Sequence, residues 1–276
     1  MSKPWQWPVD RLKAGPTESF EVVRVRARAG GAGDGIGQNH MASDENTIIP
    51  AGGRFVPAHA YDAIVAATMR EPHWRPRIAN DIAARFGDAP AILDIGAGTG
   101  SLTRALRERM PQASITAVEP DERTRTIGRT KTGSQGAARV QPDQTAPIAW
   151  VDGHAEALPL ADDSQDAAVM ALMLHHLTTA HKQQALGEAR RTLKPGGSLY
   201  VADFGEPHDP LMAVAFTIIQ LTDGVTTTRD HRAGRLPKLI ADNGFTTPTA
   251  VLRLRTLFGS FEVLRAQLPT LAVGLA

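Results

Sequence analysis

The sequence predicts an α/β fold organised around one strand, one glycine-rich turn and one helix. Residues 91–95 read Ala-Ile-Leu-Asp-Ile, a short apolar run of the kind that forms a strand buried on both faces. Gly96, Gly98 and Gly100 follow directly and let a ligand approach the backbone without meeting a Cβ atom. Residues 101–110 then carry apolar side chains at helical spacing. Together they form half of a βαβ unit of the kind that binds nucleotides or phosphates.

The glycine spacing separates two classes of nucleotide-binding turn. A dinucleotide fingerprint reads G-x-G-x-x-G, whereas here the third glycine, Gly100, comes one residue early. A second strand at 114–118 ends at Glu119, close to the distance of about 20 residues at which a carboxylate reaches a ribose hydroxyl. Nicotinamide cofactors and S-adenosylmethionine both carry that free ribose diol, but the glycine spacing argues against a nicotinamide oxidoreductase.

Five segments in order resemble the motifs of class I S-adenosylmethionine-dependent methyltransferases, in particular the UbiE/menaquinone-type branch that acts on small molecules. They are residues 94–100, 118–120, 153–160, 163–177 and 190–203. The resemblance extends over about residues 75 to 267. It implies a Rossmann-like, seven-stranded, mostly parallel sheet with a reversed last strand, helices on both faces and an N-terminal helical cap.

The resemblance also implies that S-adenosyl-L-methionine is the cofactor and S-adenosyl-L-homocysteine the product. The expected cofactor contacts are Asp94, Gly96, Ala97, Gly98, Glu119, Pro120, His154, Ala155, Glu156, Ala171 and Leu172. Glu119 should accept hydrogen bonds from both ribose hydroxyls, while Asp94 should orient the glycine turn and the amino group of the methionine end.

The adenine side departs from the pattern of the family. His154 stands where an aspartate usually accepts a hydrogen bond from the exocyclic amine of adenine. A neutral imidazole can accept that bond through one nitrogen. Asp152, Glu156 or the main chain at Ala155 are alternatives that the sequence leaves open.

Two adjacent histidines, His175 and His176, end the predicted fourth strand, where ligands collect in sheets of this type. A histidine with an ordinary pKa of about 6.5 can deprotonate a phenol or enol near neutral pH. Such a residue can equally serve only to shape the pocket. No metal centre is expected from these two residues and His181, because no carboxylate stands at ligand spacing.

Composition changes divide the chain into parts. We expect a flexible N-terminal extension over 1–46, a helical cap over 47–90 and a methyltransferase core over 91–276. In the cap, apolar residues at helical spacing predict one helix over 59–69 and a second over about 74–86. In the core, 251–257 and 261–267 predict an antiparallel hairpin that closes the sheet, and the basic residues between 123 and 131 are interpreted as a solvated face. An insertion at about 208–232 combines a strongly apolar stretch over 211–221 with a polar loop from 223 onwards. The apolar stretch favours a small, hydrophobic acceptor that resembles a polyketide or a quinone.

Composition also excludes several functions. The net charge is +1, which gives no general argument for nucleic-acid binding. The chain has no cysteine, which excludes zinc–thiolate sites and a cysteine nucleophile.

No signal peptide or membrane span is recognised, so a cytoplasmic location is expected, and a homodimer is left open. A catalytically inactive scaffold remains the alternative function, favoured by His154 and by the glycines that follow Glu119.

Overall fold

The structure is a computed structural model that describes residues 66–134 and 146–270. The helices are α1 (Glu71–Phe86), α2 (Ser101–Arg109), α3 (Glu122–Lys131), α4 (Thr179–Thr192), α5 (Pro210–Asp223), α6 (Val225–Arg232) and α7 (Leu236–Asp242). The strands are β1 (Ala91–Ile95), β2 (Ser114–Val118), β3 (Ile148–Val151), β4 (Gln165–Ala171), β5 (Leu193–Phe204), β6 (Thr249–Thr256) and β7 (Gly259–Gln267). Within these two ranges, no helix is both long and apolar enough to cross a bilayer.

All seven strands form one sheet in the order β3-β2-β1-β4-β5-β7-β6. The first five strands run parallel, whereas β7 is antiparallel to both β5 and β6. The predicted sheet with a reversed last strand is therefore confirmed. The hairpin of β6 and β7 is also where the sequence placed it, and β7 lies between β5 and β6.

The strand order reverses between β1 and β4, which are direct neighbours although two strands separate them in the chain. In an open α/β sheet such a reversal opens a crevice at the carboxyl ends of the two strands, and ligands bind there. The glycine turn follows β1, and the paired histidines follow β4. The topology therefore brings the two predicted halves of the site to one edge of the sheet.

Helices cover both faces of the sheet. On one face, Trp74, Ile78 and Ile82 of α1 are fully buried, and Trp74 packs against Phe261 of β7 with ring centroids 5.2 Å apart. The hydroxyl of Tyr200 on β5 donates to Asp81 of α1 at 2.7 Å. On the other face, apolar residues of α4 and α7 pack against β4 and β5. The apolar stripe predicted for residues 74–86 is therefore the buried face of α1.

Two predictions lie wholly or mostly outside the described residues. The N-terminal extension over 1–46 is one, and the first helix of the cap, which ends at Met69, is the other. The proposed division of the chain into three parts thus stays a prediction.

The insertion differs from its prediction. Residues after Asp223 were expected to form a polar loop, but Val225–Arg232 is a helix. The expectation failed because this helix buries polar groups and has no apolar stripe: Thr228 and Asp230 are fully buried. The hydroxyl of Thr228 donates to the Gly224 carbonyl at 2.6 Å, which satisfies it within the helix.

Candidate active site

The glycine turn is held against the end of β2 by main-chain bonds. The amides of Gly96 and Ala97 both donate to the carbonyl of Val118, at 2.9 and 3.0 Å. Gly96 and Gly98 have φ angles of 66° and 56°, in the left-handed region that favours glycine. A Cβ atom built on Gly98 meets nothing within 4 Å, so the turn faces open space where a ligand can lie against its backbone.

Glu119 joins this turn to the end of β2. One carboxylate oxygen accepts from the Gly98 amide at 2.9 Å, and the other accepts from the Asp121 amide at 3.1 Å. The side chain is 9% exposed, and burial raises the pKa of the carboxyl group. The two amides fix the carboxylate beside the glycine turn, and each oxygen retains a lone pair that can accept from a ribose hydroxyl.

Asp94 lies beneath the turn and is 1% exposed. Its carboxylate accepts from the hydroxyl of Thr103 on α2 at 2.6 Å. Burial raises the pKa of Asp94 to about 6, although the bond from Thr103 lowers it. Asp94 thus connects the end of β1 to the first turn of α2, which fits the predicted role of orienting the glycine turn.

The other side of the crevice contains a residue in an uncommon backbone conformation. Leu172, directly after β4, has a φ of 53°, and its amide donates to the carbonyl of Ala202 on β5 at 2.8 Å. A non-glycine residue held there costs roughly 1–3 kcal/mol, and such strain clusters at functional sites. The next residue, Met173, lies against Gly96. The ends of β1 and β4 are therefore in contact, and Ala171 and Leu172 lie beside the crevice, while their contact with the cofactor stays a prediction.

Trp150 of β3 explains one of the glycines that follow Glu119, Gly128. A Cβ atom on Gly128 would lie 2.1 Å from the Trp150 ring, and one on Gly100 would lie 2.8 Å from it. The indole nitrogen donates to Thr132 at 3.1 Å. Gly128 therefore makes room for a large side chain between α2 and α3, so this glycine is no argument for an inactive scaffold.

Arg125 of α3 is a site residue that the sequence did not reveal. Its side chain is 5% exposed and donates to the carbonyls of Glu119 and Pro120 and to the carboxylate of Asp152 at 3.1 Å. The basic residues of α3 had been interpreted as a solvated face. That interpretation is wrong for Arg125, which fixes the main chain that carries Glu119.

On the adenine side, His154 and Asp152 are exposed, whereas Ala155 is buried. The amide of Ala157 donates to the carbonyl of His154 at 3.1 Å, which forms a tight turn beside the end of β3. Asp152 is bound to Arg125, and Glu156 lies 3.7 Å from His181. His154, Asp152, Glu156 and the main chain at Ala155 therefore all remain candidates for the group that binds adenine.

The two histidines have different surroundings. His175 is 5% exposed, and its Nδ1 lies 2.7 Å from a carboxylate oxygen of Asp203, at the end of β5. The side chain of His176 is 40% exposed. Asp223, the last residue of α5, lies 3.6 Å from His175 Nε2 and 3.9 Å from His176 Nδ1. The pair therefore meets two carboxylates that are distant in the sequence.

These neighbours change the proton affinity of both rings. Burial by itself would lower the pKa of His175, but the carboxylates of Asp203 and Asp223 raise it above its ordinary value. Burial and the charge of His175 lower the pKa of His176. The ordinary histidine pKa, on which the general-base prediction rested, therefore holds for neither ring. The prediction that one of the two acts as a base stays untested.

Helix α6 is fixed behind this cluster by a buried ion pair. The ammonium group of Lys182 on α4 lies 3.2 Å from Asp230, and both side chains are fully buried. Lys182 also donates to the carbonyl of Thr227. The ion pair holds His231 of α6 with its Nε2 atom 3.7 Å from Asp203. The sequence could have indicated Asp203, because an acidic residue stands at the end of the predicted fifth strand. Nothing in the sequence indicated that Asp223 or Lys182 lies near the histidines.

Comparisons with known proteins agree with this arrangement. A family model described as a methyltransferase domain matches residues 93–201, which include the end of β1, the glycine turn, Glu119 and both histidines. The ubiquinone/menaquinone biosynthesis C-methyltransferase UbiE of Paracoccus denitrificans is 34% identical over 139 residues, which are 50% of this chain and 51% of that protein. The mitochondrial 2-methoxy-6-polyprenyl-1,4-benzoquinol methylase of Mus musculus is 45% identical over 83 residues, 30% of this chain and 24% of that protein. The chain thus spans about half the length, or less, of the relatives that it matches.

Solved structures share the fold at low sequence identity. The magnesium protoporphyrin IX methyltransferase of Synechocystis, whose structure contains S-adenosylhomocysteine, has a TM-score of 0.57 at 17% identity. That match covers 77% of this chain and 88% of the other chain. A methyltransferase of Methanosarcina mazei has a TM-score of 0.55 at 21% identity, over 68% of this chain and 97% of the other. The motifs, the strand order and the site geometry agree with these matches: residues 93–201 match a methyltransferase domain, and the chain is similar to methyltransferases of the UbiE type.

Proposed function

We propose that this protein transfers a methyl group from S-adenosyl-L-methionine to a small, hydrophobic, quinol-like acceptor. The observation that carries the proposal is the position of Glu119. Its carboxylate is fixed by the amides of Gly98 and Asp121 at the edge of the sheet where the strand order reverses. A carboxylate at the end of β2, beside a glycine turn, suits a ligand with a free ribose diol.

The residues present fit this cofactor. The open space at Gly98 lets the methionine end lie against the backbone of the turn. Asp94 holds the turn in place through Thr103, and Arg125 holds the main chain of Glu119. The cofactor supplies a methyl group on a sulfonium, which already contains the leaving group. The protein then mainly has to hold donor and acceptor in line, and positioning of this kind can contribute roughly 7–11 kcal/mol.

The acceptor class is inferred from the other side of the crevice. Helix α5 presents exposed apolar side chains and ends at Asp223, beside the histidines. An apolar helix that ends at a polar cluster suits an aromatic ring with a hydroxyl group and an apolar substituent. The similar proteins include a ubiquinone/menaquinone biosynthesis C-methyltransferase and a polyprenyl-benzoquinol methylase, which supports this class.

His175 and His176 remain our candidates for the residues that act on the acceptor. They lie at the carboxyl end of β4, next to the residues that border the cofactor crevice. A histidine ring nitrogen can accept a proton from an acceptor hydroxyl, or it can bind a cation that polarises this hydroxyl.

Calorimetric titration with S-adenosylhomocysteine tests the proposal. We expect wild type to bind in the micromolar range and Glu119→Gln to bind at least tenfold more weakly, about 1.4 kcal/mol. Glutamine keeps the size of the side chain but not its charge or both acceptor oxygens. The matched control is Glu108→Gln on α2, whose side chain is 65% exposed and should not affect affinity.

A folded wild-type sample that binds no S-adenosylhomocysteine would contradict the proposal, and the scaffold alternative would then lead. If binding is found, benzoquinols with and without an apolar substituent are the first acceptors to assay. A cytoplasmic location, a homodimer and the absence of nucleic-acid binding accompany the proposal as predictions. Light scattering at several protein concentrations tests the homodimer.

A further inference from the structure

Three side chains beside the crevice, those of His175, His176 and Asp223, bring metal-ligating atoms close together. His175 Nε2 lies 3.6 Å from one oxygen of Asp223, and His176 Nδ1 lies 3.9 Å from the other. A ligand atom from each of the three residues lies within 4.8 Å of the other two. We propose that His175, His176 and Asp223 bind one divalent transition-metal ion.

The separations suit ligands of an ion better than hydrogen-bonded partners. Hydrogen bonds between nitrogen and oxygen span about 2.7–3.2 Å, and both distances to Asp223 are longer. Ligands at about 2.0–2.2 Å from a tetrahedral ion are roughly 3.4 Å apart. Small rotations of the three side chains would therefore complete such a site without a change in the main chain.

Asp203 prepares His175 for this role. The Nδ1 atom of His175 donates to one oxygen of Asp203 at 2.7 Å, while the amides of Leu174 and His175 donate to the other at 2.9 and 3.3 Å. Because Nδ1 carries the proton, the lone pair of the ring is on Nε2, the atom that lies near Asp223. A buried carboxylate that orients a ligating histidine through its second nitrogen is a recurrent feature of metal sites.

The charges of this region also favour a cation. The carboxylates of Asp203 and Asp223 both approach His175, and Asp203 is 1% exposed. The buried Lys182 is already paired with Asp230. A divalent ion beside Asp223 would balance the negative charges of Asp203 and Asp223. His175 and His176 would then be neutral ligands, and the nearby His231 would also remain neutral.

The ligand set and its exposure indicate the kind of ion and its use. Two imidazole nitrogens and one carboxylate oxygen suit Zn²⁺, Fe²⁺ or Co²⁺, whereas Mg²⁺ and Ca²⁺ prefer oxygen ligands. The side chain of His176 is 40% exposed, so the site opens to solvent and leaves positions for another ligand. A hydroxyl oxygen of the acceptor could occupy one of them, and the ion would lower the pKa of that hydroxyl so that its proton passes to water. This last role depends on the proposed function, whereas binding of the ion does not.

The fold brings a carboxylate to the two histidines, although none stands near them in the sequence. A metal centre was not expected because no carboxylate stands at ligand spacing near the histidines. The chain brings Asp223 to them through helix α5, and His181, the third histidine then considered, lies instead beside Glu156.

The experiment titrates Zn²⁺ into the full chain, prepared without a polyhistidine tag and freed of metal with a chelator. We expect one ion per chain by calorimetry, and with Co²⁺ we expect visible absorption bands typical of a site with two nitrogen ligands. Asp223→Asn and His176→Gln should each weaken binding at least tenfold, while circular dichroism shows that both remain folded.

The matched control is Asp209→Asn at the other end of α5. Asp209 also has a histidine nitrogen, that of His208, at 3.7 Å, but this pair is not part of a three-ligand group in the part of the chain that the structure describes. Asparagine can still cap the helix there, and Zn²⁺ affinity should not change.

No binding of one ion by wild type, or equal binding by wild type and Asp223→Asn, would overturn the proposal. Titration of S-adenosylhomocysteine into the same samples separates this result from the proposed function. A chain that binds Zn²⁺ but no S-adenosylhomocysteine would retain the ion site and lose the methyltransferase proposal.

Discussion

The two sides of the crevice are built in different ways. On the cofactor side, contacts join neighbouring motifs through main-chain groups, as between the Gly98 amide and Glu119. On the acceptor side, buried side chains from distant segments meet: His175 with Asp203, and Lys182 with Asp230. The first arrangement needs a few residue types at fixed spacing, whereas the second needs the correct packing of the insertion against the core. Variants that affect one side and not the other can therefore test this comparison.

The largest effect on stability is expected at the buried ion pair of the acceptor side. Lys182→Met leaves Asp230 buried beside the hydroxyl of Thr179 but without its lysine, and loss of one partner of a buried pair costs roughly 3 kcal/mol or more. Urea unfolding measures this loss. Affinity for S-adenosylhomocysteine, measured at a temperature where the variant is folded, should stay at the wild-type level.

The control for that prediction is Lys194→Met, which removes the partner of Asp166. These two side chains are 2.8 Å apart but 44% and 25% exposed, so the loss should be at most about 1 kcal/mol. Equal losses in the two variants would show that burial of the Lys182 pair does not determine its contribution.

This contrast explains how much could be predicted from the sequence. The glycine turn and Glu119 followed from local motifs, because hydrophobic runs and turn residues act over short stretches of chain. The sheet with its reversed last strand followed from the resemblance to a known family. The helix Val225–Arg232 was missed because its buried face is polar and is satisfied by Lys182, which belongs to another helix. Asp223 was missed for the same reason: its partners lie in a different segment, and the sequence does not state which segments meet.

The second effect concerns Asp94, on the cofactor side, and depends on pH. The folded state raises the pKa of Asp94 to about 6 from an ordinary 3.8, so the folded chain binds this proton more tightly than the unfolded chain. Protonated Asp94 makes its full contribution to the free energy of unfolding below about pH 4, and this contribution is lost as the pH rises through 6. A change of this size corresponds to roughly 3 kcal/mol.

Asp94→Asn should therefore make the cofactor-free protein more stable than wild type at pH 7.5, with little difference at pH 4. Asparagine can still accept the bond from Thr103, but it loses the charge that the amino group of the cofactor would meet, so affinity for S-adenosylhomocysteine should fall. Urea unfolding at both pH values measures the difference, and the exposed Asp88→Asn is the control. A variant less stable than wild type at pH 7.5 would mean that the ionised carboxylate stabilises the folded state.

The smallest effect on stability is expected at Gly98. A substitution there also distinguishes the cost of a strained backbone from a loss of cofactor affinity. Gly98 and Gly133 have φ angles of 56° and 70°, and a Cβ atom on either would meet nothing within 4 Å. Alanine at either position should cost roughly 1–2 kcal/mol, because left-handed φ angles are unfavourable for residues with a Cβ atom. Only the Cβ atom at position 98 would enter the space assigned to the cofactor. Gly98→Ala should then lose at least tenfold in affinity for S-adenosylhomocysteine while Gly133→Ala keeps it, and equal affinities would mean that the methionine end lies elsewhere.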